Sequence, residues 1–334
     1  MKNLVILGAG TSGTMMANHL VSKLPKKTWK ITIVDQYKTH YYQPGFLFLP
    51  FDTYTEDQVK KVGKKFIPKG VNYIQKKIDK ILPEENKVAL EDETIDYDLL
   101  IIATGSKIAP EETEGLLGPL WKKDIFDFYT YEGALALRNK LREWEGGKLV
   151  VHITEMPIKC PVAPLEFSFL ADSYFRKKGM RDKVEITYVT PLTGAFTKPT
   201  CSTALSYLLK EKDIHMESDF AIEHVDNDTK EIVDYEGRKI PFDLLVTIPT
   251  NMGDEVIEKS GLGDVNTKTT ADVYKFENKN GYVNYGLKMS TTDIMNLTDI
   301  QKQNIFYNTK FINKFLCHLR LWLCHLNMVL KTHH

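Results

Sequence analysis

The chain has 334 residues, and at about 150 residues per domain this length suggests two domains. Lysine plus arginine and aspartate plus glutamate each count 44, so the net charge of zero argues against a nucleic-acid partner held by a strong basic field. The four cysteines include no CxxC pair, which rules out a disulfide scaffold and leaves individually reactive thiols as the expectation.

The chain begins with the pattern of a nucleotide-binding unit. Leu4 to Leu7 form an apolar run that predicts a buried parallel strand, and a helix is predicted from Thr14 to Lys23. Between them, a GxGxxG sequence allows a tight turn, a close backbone approach to a pyrophosphate and close packing of helix on strand. The pyrophosphate is expected to bind the free N–H groups at the helix start. The residues of this predicted loop are Gly8, Gly10, Thr11, Ser12 and Gly13.

Two later strands extend this unit. The predicted strand Ile31 to Val34 ends at Asp35, where a carboxylate can accept both hydroxyls of an unphosphorylated ribose. A third apolar run follows Asp98 and ends in Ala103-Thr104-Gly105. Here the sequence resembles the flavoproteins with two dinucleotide-binding domains, and this resemblance implies FAD at the first site. The alternative, a Gly-rich turn with an ordinary capping aspartate, is disfavoured because strand, glycines, helix, second strand and acid occur in order.

The middle of the chain repeats this order of elements. Residues 148–154, 185–190 and 242–249 predict strands that correspond to the three strands of the first unit. The fold class predicted from this repeat is α/β, with two Rossmann-like dinucleotide-binding domains. The predicted boundaries are 1–118 for the FAD-binding domain, 119–264 for the second domain and 265–334 for an atypical, degenerate C-terminal segment.

The second unit lacks a phosphate loop. Residues 155–164 contain three prolines and no glycine, and proline fixes φ and removes N–H donors, so a nicotinamide dinucleotide is not expected to bind there in the usual way. Cys160 occupies this loop, after Lys159 and before a helix predicted to start near Pro164. The cation and the helix dipole are both expected to lower the thiol pKa. A buried structural cysteine is the alternative.

The segment from Met156 to Phe167 resembles the signature of the sulfide:quinone oxidoreductases and of the related flavocytochrome c sulfide dehydrogenase flavin chain. Further segments agree in the same order: His40 to Gly45, Thr104 to Gly115, and Val189 to Pro199. No cysteine occurs from Ser106 to Lys159, so the chain is similar to the two-cysteine members of the family, and Cys201 is interpreted as structural.

The resemblance implies an enzyme that oxidises sulfide to sulfur or polysulfide. Sulfide attacks a cysteine disulfide or polysulfide bridge, a persulfide forms, FAD is reduced, and a membrane quinone removes the electrons. It implies Cys160 as one redox cysteine and Glu166 as a carboxylate that handles protons. It also adds Gln43, Pro44 and Gly45 to the FAD-binding residues, which already include Asp35, Ala103, Thr104 and Gly105.

After about Tyr285 the sequence departs from the family. The expected apolar strand ending in Gly-Asp is missing, because neither Gly253-Asp254 nor Gly263-Asp264 follows such a strand. A diverged or truncated C-terminal part and a break in the reading frame near Asn284 are the two open explanations. Residues 311–326 predict either an amphipathic helix at a membrane interface or a core helix. Cys317-His318 and Cys324-His325 recur at a spacing of seven, yet no metal site is predicted.

We therefore expect peripheral contact with the cytoplasmic membrane from the cytoplasmic side, no nucleic-acid partner, and no signal peptide or transmembrane helix. Homo-oligomer formation is left open. Two other functions stay open at this point. One is an NADH:acceptor flavin oxidoreductase with the same fold. The other is a catalytically inactive flavin-fold protein, which the missing Gly-Asp segment would favour.

Overall fold

The structure is a computed structural model that describes residues 1–262 and the backbone of two short strands, Phe276–Glu277 and Val283–Asn284. The predicted helix over residues 311–326 and the two Cys-His pairs lie outside the described residues. A compact unit spans Met1–Asp272, and it holds both predicted Rossmann-like halves. The boundaries at 118/119 and 264/265 stay predictions.

Nineteen strands and six α-helices are described in residues 1–262. The strands are β1 (Lys2–Leu7), β2 (Trp29–Val34), β3 (Thr39–Tyr41), β4 (Lys60–Val62), β5 (Val71–Ile74), β6 (Ile78–Leu82), β7 (Lys87–Leu90), β8 (Thr94–Asp96), β9 (Leu99–Ile102), β10 (Ser106–Ile108), β11 (Ile125–Phe126), β12 (Gly147–Ile153), β13 (Val184–Val189), β14 (Ile214–Glu217), β15 (Ile222–Asp226), β16 (Glu231–Asp234), β17 (Lys239–Pro241), β18 (Leu244–Ile248) and β19 (Asn251–Gly253). The helices are α1 (Thr11–Lys23), α2 (Glu56–Val59), α3 (Tyr131–Glu143), α4 (Ala163–Lys177), α5 (Pro199–Glu211) and α6 (Glu255–Lys259).

The first sheet is parallel, with strand order β5-β2-β1-β9. β1 lies inside it, and residues 4–7 are fully buried because α1 and the neighbouring strands cover them. The predicted first strand and the strand after Asp98 are therefore confirmed. α1 begins at Thr11, three residues before its predicted start, because Gly10 already serves as its N-cap.

The second sheet is also parallel, in the order β11-β18-β12-β13-β14. Its strands β12, β13 and β18 coincide with the three strands predicted from the internal repeat, and α4 follows β12 as expected. Two parallel sheets with crossover helices confirm the predicted α/β class. Three-stranded antiparallel sheets β6-β7-β8 and β15-β16-β17 and the pairs β3-β4 and β10-β19 complete the fold of residues 1–262.

A segment of the first half packs into the core of the second. After β3, two short 3-10 helices, Gln43–Leu47 and Leu49–Phe51, bury their apolar side chains among residues of α3, α4 and β12. The Phe51 ring lies 4.9 Å from that of Phe167 on α4, and the Phe167 ring in turn stacks on Phe128 at 4.9 Å. This burial draws residues 43–51 to the second sheet.

β12 carries a fully buried histidine. The Nδ1 atom of His152 lies 3.0 Å from Oγ1 of Thr247, and Nε2 has no hydrogen-bond partner among residues 1–262. Burial disfavours the charged imidazolium, so the pKa of His152 falls from 6.5 to about 3. In the unfolded chain the ring keeps its ordinary pKa. The unfolded state alone therefore takes up a proton as the pH falls below 6.5, and stability decreases down to about pH 3.

The protein is expected to be destabilised by acid through His152. Between pH 7 and pH 5, His152 is expected to remove about 2 kcal/mol from the free energy of unfolding, at 1.36 kcal/mol per pH unit. The variant His152→Asn keeps a polar atom facing Thr247 but does not titrate, so it should lose correspondingly less stability over this range. Urea denaturation of both proteins at the two pH values measures the difference. Parallel losses in the two proteins would contradict the assignment.

Candidate functional site

The glycine loop joins β1 to α1 and requires glycine at two positions. Gly8 has φ +94°, and a Cβ added there would lie 2.3 Å from the carbonyl oxygen of Ala103. A Cβ at Gly13 would lie 1.8 Å from the carbonyl oxygen of Gly8. The first glycine therefore lets β9 end against the loop, and Gly13 lets α1 pack onto it, as the motif predicts.

Gly10 differs from its neighbours because the space beside it is open. No atom lies within 4 Å of a Cβ added at this position. No side chain caps α1. The N–H groups of Thr11, Ser12 and Gly13 find no acceptor within residues 1–262. Open space next to free N–H groups at a helix N-terminus fits a pyrophosphate, so the residues present suit a dinucleotide.

Asp35 follows β2 and contacts the same loop. Its Oδ2 accepts a hydrogen bond of 2.6 Å from the Ala9 N–H, and its Oδ1 accepts one of 2.8 Å from the Tyr37 N–H. The Nδ1 atom of His40 lies 3.1 Å from the Ala9 carbonyl oxygen. Asp35 thus fixes the glycine loop, and each of its oxygens keeps a lone pair for another donor. Its ribose contact stays a prediction.

The Ala103-Thr104-Gly105 segment lies on the other side of the loop. The Ala103 N–H donates to the Leu7 carbonyl at 2.7 Å, which extends the pairing of β9 with β1. Gly105 has φ +80°, and an added Cβ there would meet open space. The structure therefore brings residues 8–13, Asp35 and residues 103–105 together at the carboxyl edge of the first sheet, where parallel α/β sheets bind ligands.

The Cys160 loop lies at the same edge of the second sheet. It runs from the end of β12 to the start of α4, the place of a phosphate loop in a dinucleotide-binding unit. Two side chains that no local sequence pattern marks hold this loop in place. The Tyr129 hydroxyl donates to the Cys160 carbonyl at 2.9 Å, and Oδ1 of Asn251 accepts from the Lys159 N–H at 3.1 Å. Asp127 fixes Tyr129 in turn by accepting its N–H at 2.9 Å.

Lys159 connects this loop to the first half of the chain. Its Nζ donates to Oε1 of Gln43 at 2.9 Å and lies 5.4 Å from the centre of the Tyr129 ring. Gln43 opens the 3-10 helix that leads into the second core, followed by Pro44 and by buried Gly45, whose added Cβ would lie 2.4 Å from Val59. The structure therefore places the predicted Gln43-Pro44-Gly45 segment beside the Cys160 loop.

The predicted lowering of the Cys160 pKa is wrong. Burial disfavours the thiolate and raises the thiol pKa, and the nearby Glu166 carboxylate raises it further. The thiol pKa is lowered, as predicted, by the N–H groups of Ala163 and Val162 and by the Lys159 ammonium. Their combined effect is smaller than the increase caused by burial and Glu166. Nearby protein atoms displace water from around the Lys159 ammonium, and this desolvation lowers the Lys159 pKa. The residue as a whole is nevertheless exposed at the surface.

Glu166 lies in the first turn of α4, half-buried and near Cys160. Burial raises its pKa from 4.5 to about 7. No hydrogen-bonding or ion-pair partner of its carboxyl group occurs within residues 1–262. A carboxyl group that titrates near neutral pH next to a thiol can serve as a general acid or base.

The Glu166 carboxylate and the Cys160 thiol are close enough for the charge of one to shift the pKa of the other. Glu166→Gln removes a negative charge beside Cys160, so the thiol pKa should fall and alkylation of Cys160 at neutral pH should become severalfold faster. Lys159→Gln is the matched control, because losing the cation should shift the thiol pKa upward. Iodoacetamide labelling across a pH series, read by mass spectrometry of the Cys160 peptide, measures both shifts. Shifts in the same direction would contradict the coupling.

The remaining candidate residues do not join the site. Cys201 is exposed on α5 and is free of a disulfide, so the structure gives it no place in a core of residues 1–262. Gly253 is the last residue of the short strand β19, and the side chain of the next residue, Asp254, accepts the Val256 N–H and caps α6. Within residues 1–262 no cluster of three His, Cys, Asp or Glu side chains could hold a metal ion. No helix there is long and apolar enough to cross a bilayer.

Comparisons with known proteins agree with this geometry. The family described as pyridine nucleotide-disulphide oxidoreductase matches residues 2–153. The mitochondrial sulfide:quinone oxidoreductase of Dictyostelium discoideum is 28% identical over 286 residues, which covers 82% of this chain and 63% of that protein. Its Mus musculus counterpart is 26% identical over 268 residues, covering 78% and 59%. The structure of sulfide:quinone oxidoreductase from Aquifex aeolicus aligns with a TM-score of 0.69 at 24% identity, covering 80% of this chain and 63% of that one.

The two parallel sheets, the glycine loop and the residues around it define an α/β protein with the fold of the FAD/NAD(P)-binding flavoprotein oxidoreductases. Among these proteins, the chain is a relative of the sulfide:quinone oxidoreductases. It spans 59–63% of the length of the curated relatives named above.

Proposed function

We propose that the chain carries the flavin-binding and first redox-cysteine parts of an FAD-dependent sulfide:quinone oxidoreductase. The substrate is sulfide, the sulfur product forms at Cys160, and the electrons pass to a membrane quinone. The observation that carries this proposal is the Cys160 loop, which stands where the second dinucleotide unit would have its phosphate loop and is tied to the first half through Lys159 and Gln43.

FAD would be held at the carboxyl edge of the first sheet. Gly10 and the N–H groups of Thr11 and Ser12 suit its pyrophosphate, and Asp35 suits its ribose. The predicted FAD-binding set is completed by Gly8, Gly13, Gln43, Pro44, Gly45, Ala103, Thr104 and Gly105. When bound, FAD would supply the two-electron acceptor from which a quinone can remove the electrons.

The residues around Cys160 prepare a sulfur reaction. Cys160 would enter the reaction oxidised, in a disulfide with a second cysteine: hydrosulfide, attracted by the Lys159 ammonium, attacks the Cys160 sulfur, the S–S bond breaks, and the partner cysteine leaves as a thiolate. Cys160 then keeps the sulfide sulfur as a persulfide, and the two electrons carried by the released thiolate would be passed to FAD. Glu166, which titrates near neutral pH, takes or returns the proton that distinguishes hydrogen sulfide from hydrosulfide. Tyr129 and Asn251 hold the loop so that the sulfur atom keeps a fixed position. No second redox cysteine is assigned within residues 1–262.

Anaerobic titration of the purified protein tests the proposal. Sulfide should bleach the visible flavin band, and subsequent addition of a short-chain quinone should restore it. NADH should leave the band unchanged, because residues 155–164 offer no glycine turn for a nicotinamide dinucleotide. Bleaching by NADH but not by sulfide would support the NADH:acceptor alternative, and a protein that purifies without flavin would support the inactive flavin-fold alternative.

A further inference from the structure

Positive charge is concentrated at the beginning of the chain, although the whole chain is neutral. Residues 1–80 contain fourteen lysines, no arginine and five acidic residues. The rest of the chain therefore carries the compensating negative charge. A strong asymmetry of this kind points to an anionic surface or polymer as a partner of the basic part.

The highest density of lysines lies in β4 and the turn after it. We refer to residues 60–69, with the sequence KKVGKKFIPK, as the lysine segment; it contains five lysines and no acidic residue. Lys60 pairs with Glu56 at 3.1 Å. The other four are exposed and form no ion pair with any residue of 1–262: Lys61, Lys64, Lys65 and Lys69. The nearest acidic positions in sequence, Glu56 and Asp57, leave these four uncompensated, since Glu56 also binds Arg138 at 3.2 Å.

Two apolar side chains protrude among these lysines. Val62, the last residue of β4, is 57% exposed, and Phe66 is 39% exposed. The turn between them is fixed: the Gly63 N–H donates to the Lys38 carbonyl at 2.8 Å, and the Phe66 carbonyl accepts from Asn18 on α1 at 3.0 Å. The segment is therefore a preformed surface on which several cations surround an apolar centre.

We infer that the lysine segment docks the chain on an anionic lipid surface. Ammonium groups on flexible stems are attracted to a negatively charged membrane as point charges, and exposed apolar side chains enter the interface between headgroups and acyl chains. A nucleic-acid partner fits less well, because the basic part contains no arginine to form bidentate phosphate contacts.

This surface adjoins the predicted flavin site. Lys61 pairs with His40 across β3 and β4, and His40 contacts the Ala9 carbonyl in the glycine loop. The purpose assigned to this docking rests on the proposed function, because docking would keep the protein at the membrane that holds the quinone. The binding itself requires neither sulfide nor flavin.

Vesicle sedimentation with the full chain tests the inference. The protein should pellet with vesicles of phosphatidylcholine containing about a third phosphatidylglycerol, and not with phosphatidylcholine alone. The variant K61E/K64E/K65E should bind roughly a hundredfold more weakly, at roughly fivefold per lysine removed. Raising NaCl from about 0.1 to 0.5 M should release the wild type, because the added salt screens the attraction. Val62→Ser should weaken vesicle binding without a change of charge.

The matched control is K177E/K183E/K210E, which alters the net charge equally. These three lysines are exposed and form no ion pair within residues 1–262; they lie at the end of α4, just before β13 and on α5. All three belong to the elements around the second sheet, whereas the lysine segment lies between β3 and β5 of the first half. The control should therefore bind within about twofold of the wild type.

Three results would overturn the inference: equal pelleting of wild type and K61E/K64E/K65E, equal pelleting with both vesicle types, or equal losses in the variant and its control. Anisotropy with a labelled DNA duplex is measured in parallel. Duplex binding that depends on Lys61, Lys64 and Lys65, without vesicle binding, would assign the surface to nucleic acid. Sulfide-driven flavin bleaching should be unchanged in every variant, so a failure of the proposed function leaves the vesicle result interpretable.

Discussion

Replacing Cys160 by serine is expected to abolish sulfide-driven reduction of the flavin while FAD stays bound. Serine cannot hold a sulfane sulfur, so the rate should fall by roughly a thousandfold or more, as when other covalent nucleophiles are removed. FAD should remain, because the glycine loop, Asp35 and residues 103–105 lie on the first sheet and the substitution changes one atom of a loop on the second. Anaerobic stopped-flow absorbance with sulfide measures the rate.

Cys201→Ser is the matched control. Cys201 is exposed on α5, so its loss should change neither the flavin content nor the rate of bleaching. If both serine variants were bleached at the wild-type rate, Cys160 would have no part in the reaction. If Cys201→Ser alone lost activity, the redox cysteine would lie on α5, and the role proposed for the loop between β12 and α4 would be wrong.

Replacing Gly10 by valine is expected to yield a folded protein that does not retain FAD. The open space beside Gly10 accommodates a side chain, and its backbone angles, φ −69° and ψ −166°, are extended ones that valine adopts readily. The valine methyl groups would then occupy the path of the pyrophosphate to the helix N-terminus. Charge-assisted hydrogen bonds contribute roughly 1.5–3 kcal/mol each. Losing two of them weakens binding by roughly a hundredfold or more.

Gly13→Ala provides the contrast. Its Cβ would lie 1.8 Å from the Gly8 carbonyl oxygen, so the turn itself must move and the protein should lose stability as well as flavin. Absorbance of the purified proteins gives flavin content, and urea denaturation of flavin-free samples separates the two effects. Stoichiometric flavin in Gly10→Val, or equal loss of stability in both variants, would contradict the placement of the pyrophosphate.

Most of the secondary structure around the site follows from local patterns. The apolar runs at residues 4–7, after Asp98 and near residues 148–154 are short, continuous and bounded by glycine or acidic residues, which is typical of strands buried on both faces. The glycine spacing predicts a strand–turn–helix unit because each glycine meets a separate steric demand. For Gly8 and Gly13 the contacts with Ala103 and with the loop carbonyl confirm that demand.

The surroundings of Cys160 could not be predicted in the same way. Tyr129 and Asn251 are far from Cys160 in sequence, and no local pattern marks them as partners of its loop. The sign of the Cys160 pKa shift depends on competing effects, namely burial and Glu166 against Lys159 and the N–H groups of Val162 and Ala163. Neighbours in sequence suggested the second group of effects, but burial is a property of the packed fold.

The sequence by itself determined the two parallel sheets, the glycine loop and the replacement of a phosphate loop by a cysteine loop, because each depends on residue type at fixed spacing along one segment. Only the tertiary structure decided which segments meet. Burial of Phe46 and Phe51 in the second core brings residues 43–51 across from the first half, and this crossing places Gln43 within 2.9 Å of Lys159. Such burial is set by the complementary shapes of segments that are distant in sequence, and the local periodicity of a sequence carries no information about those shapes.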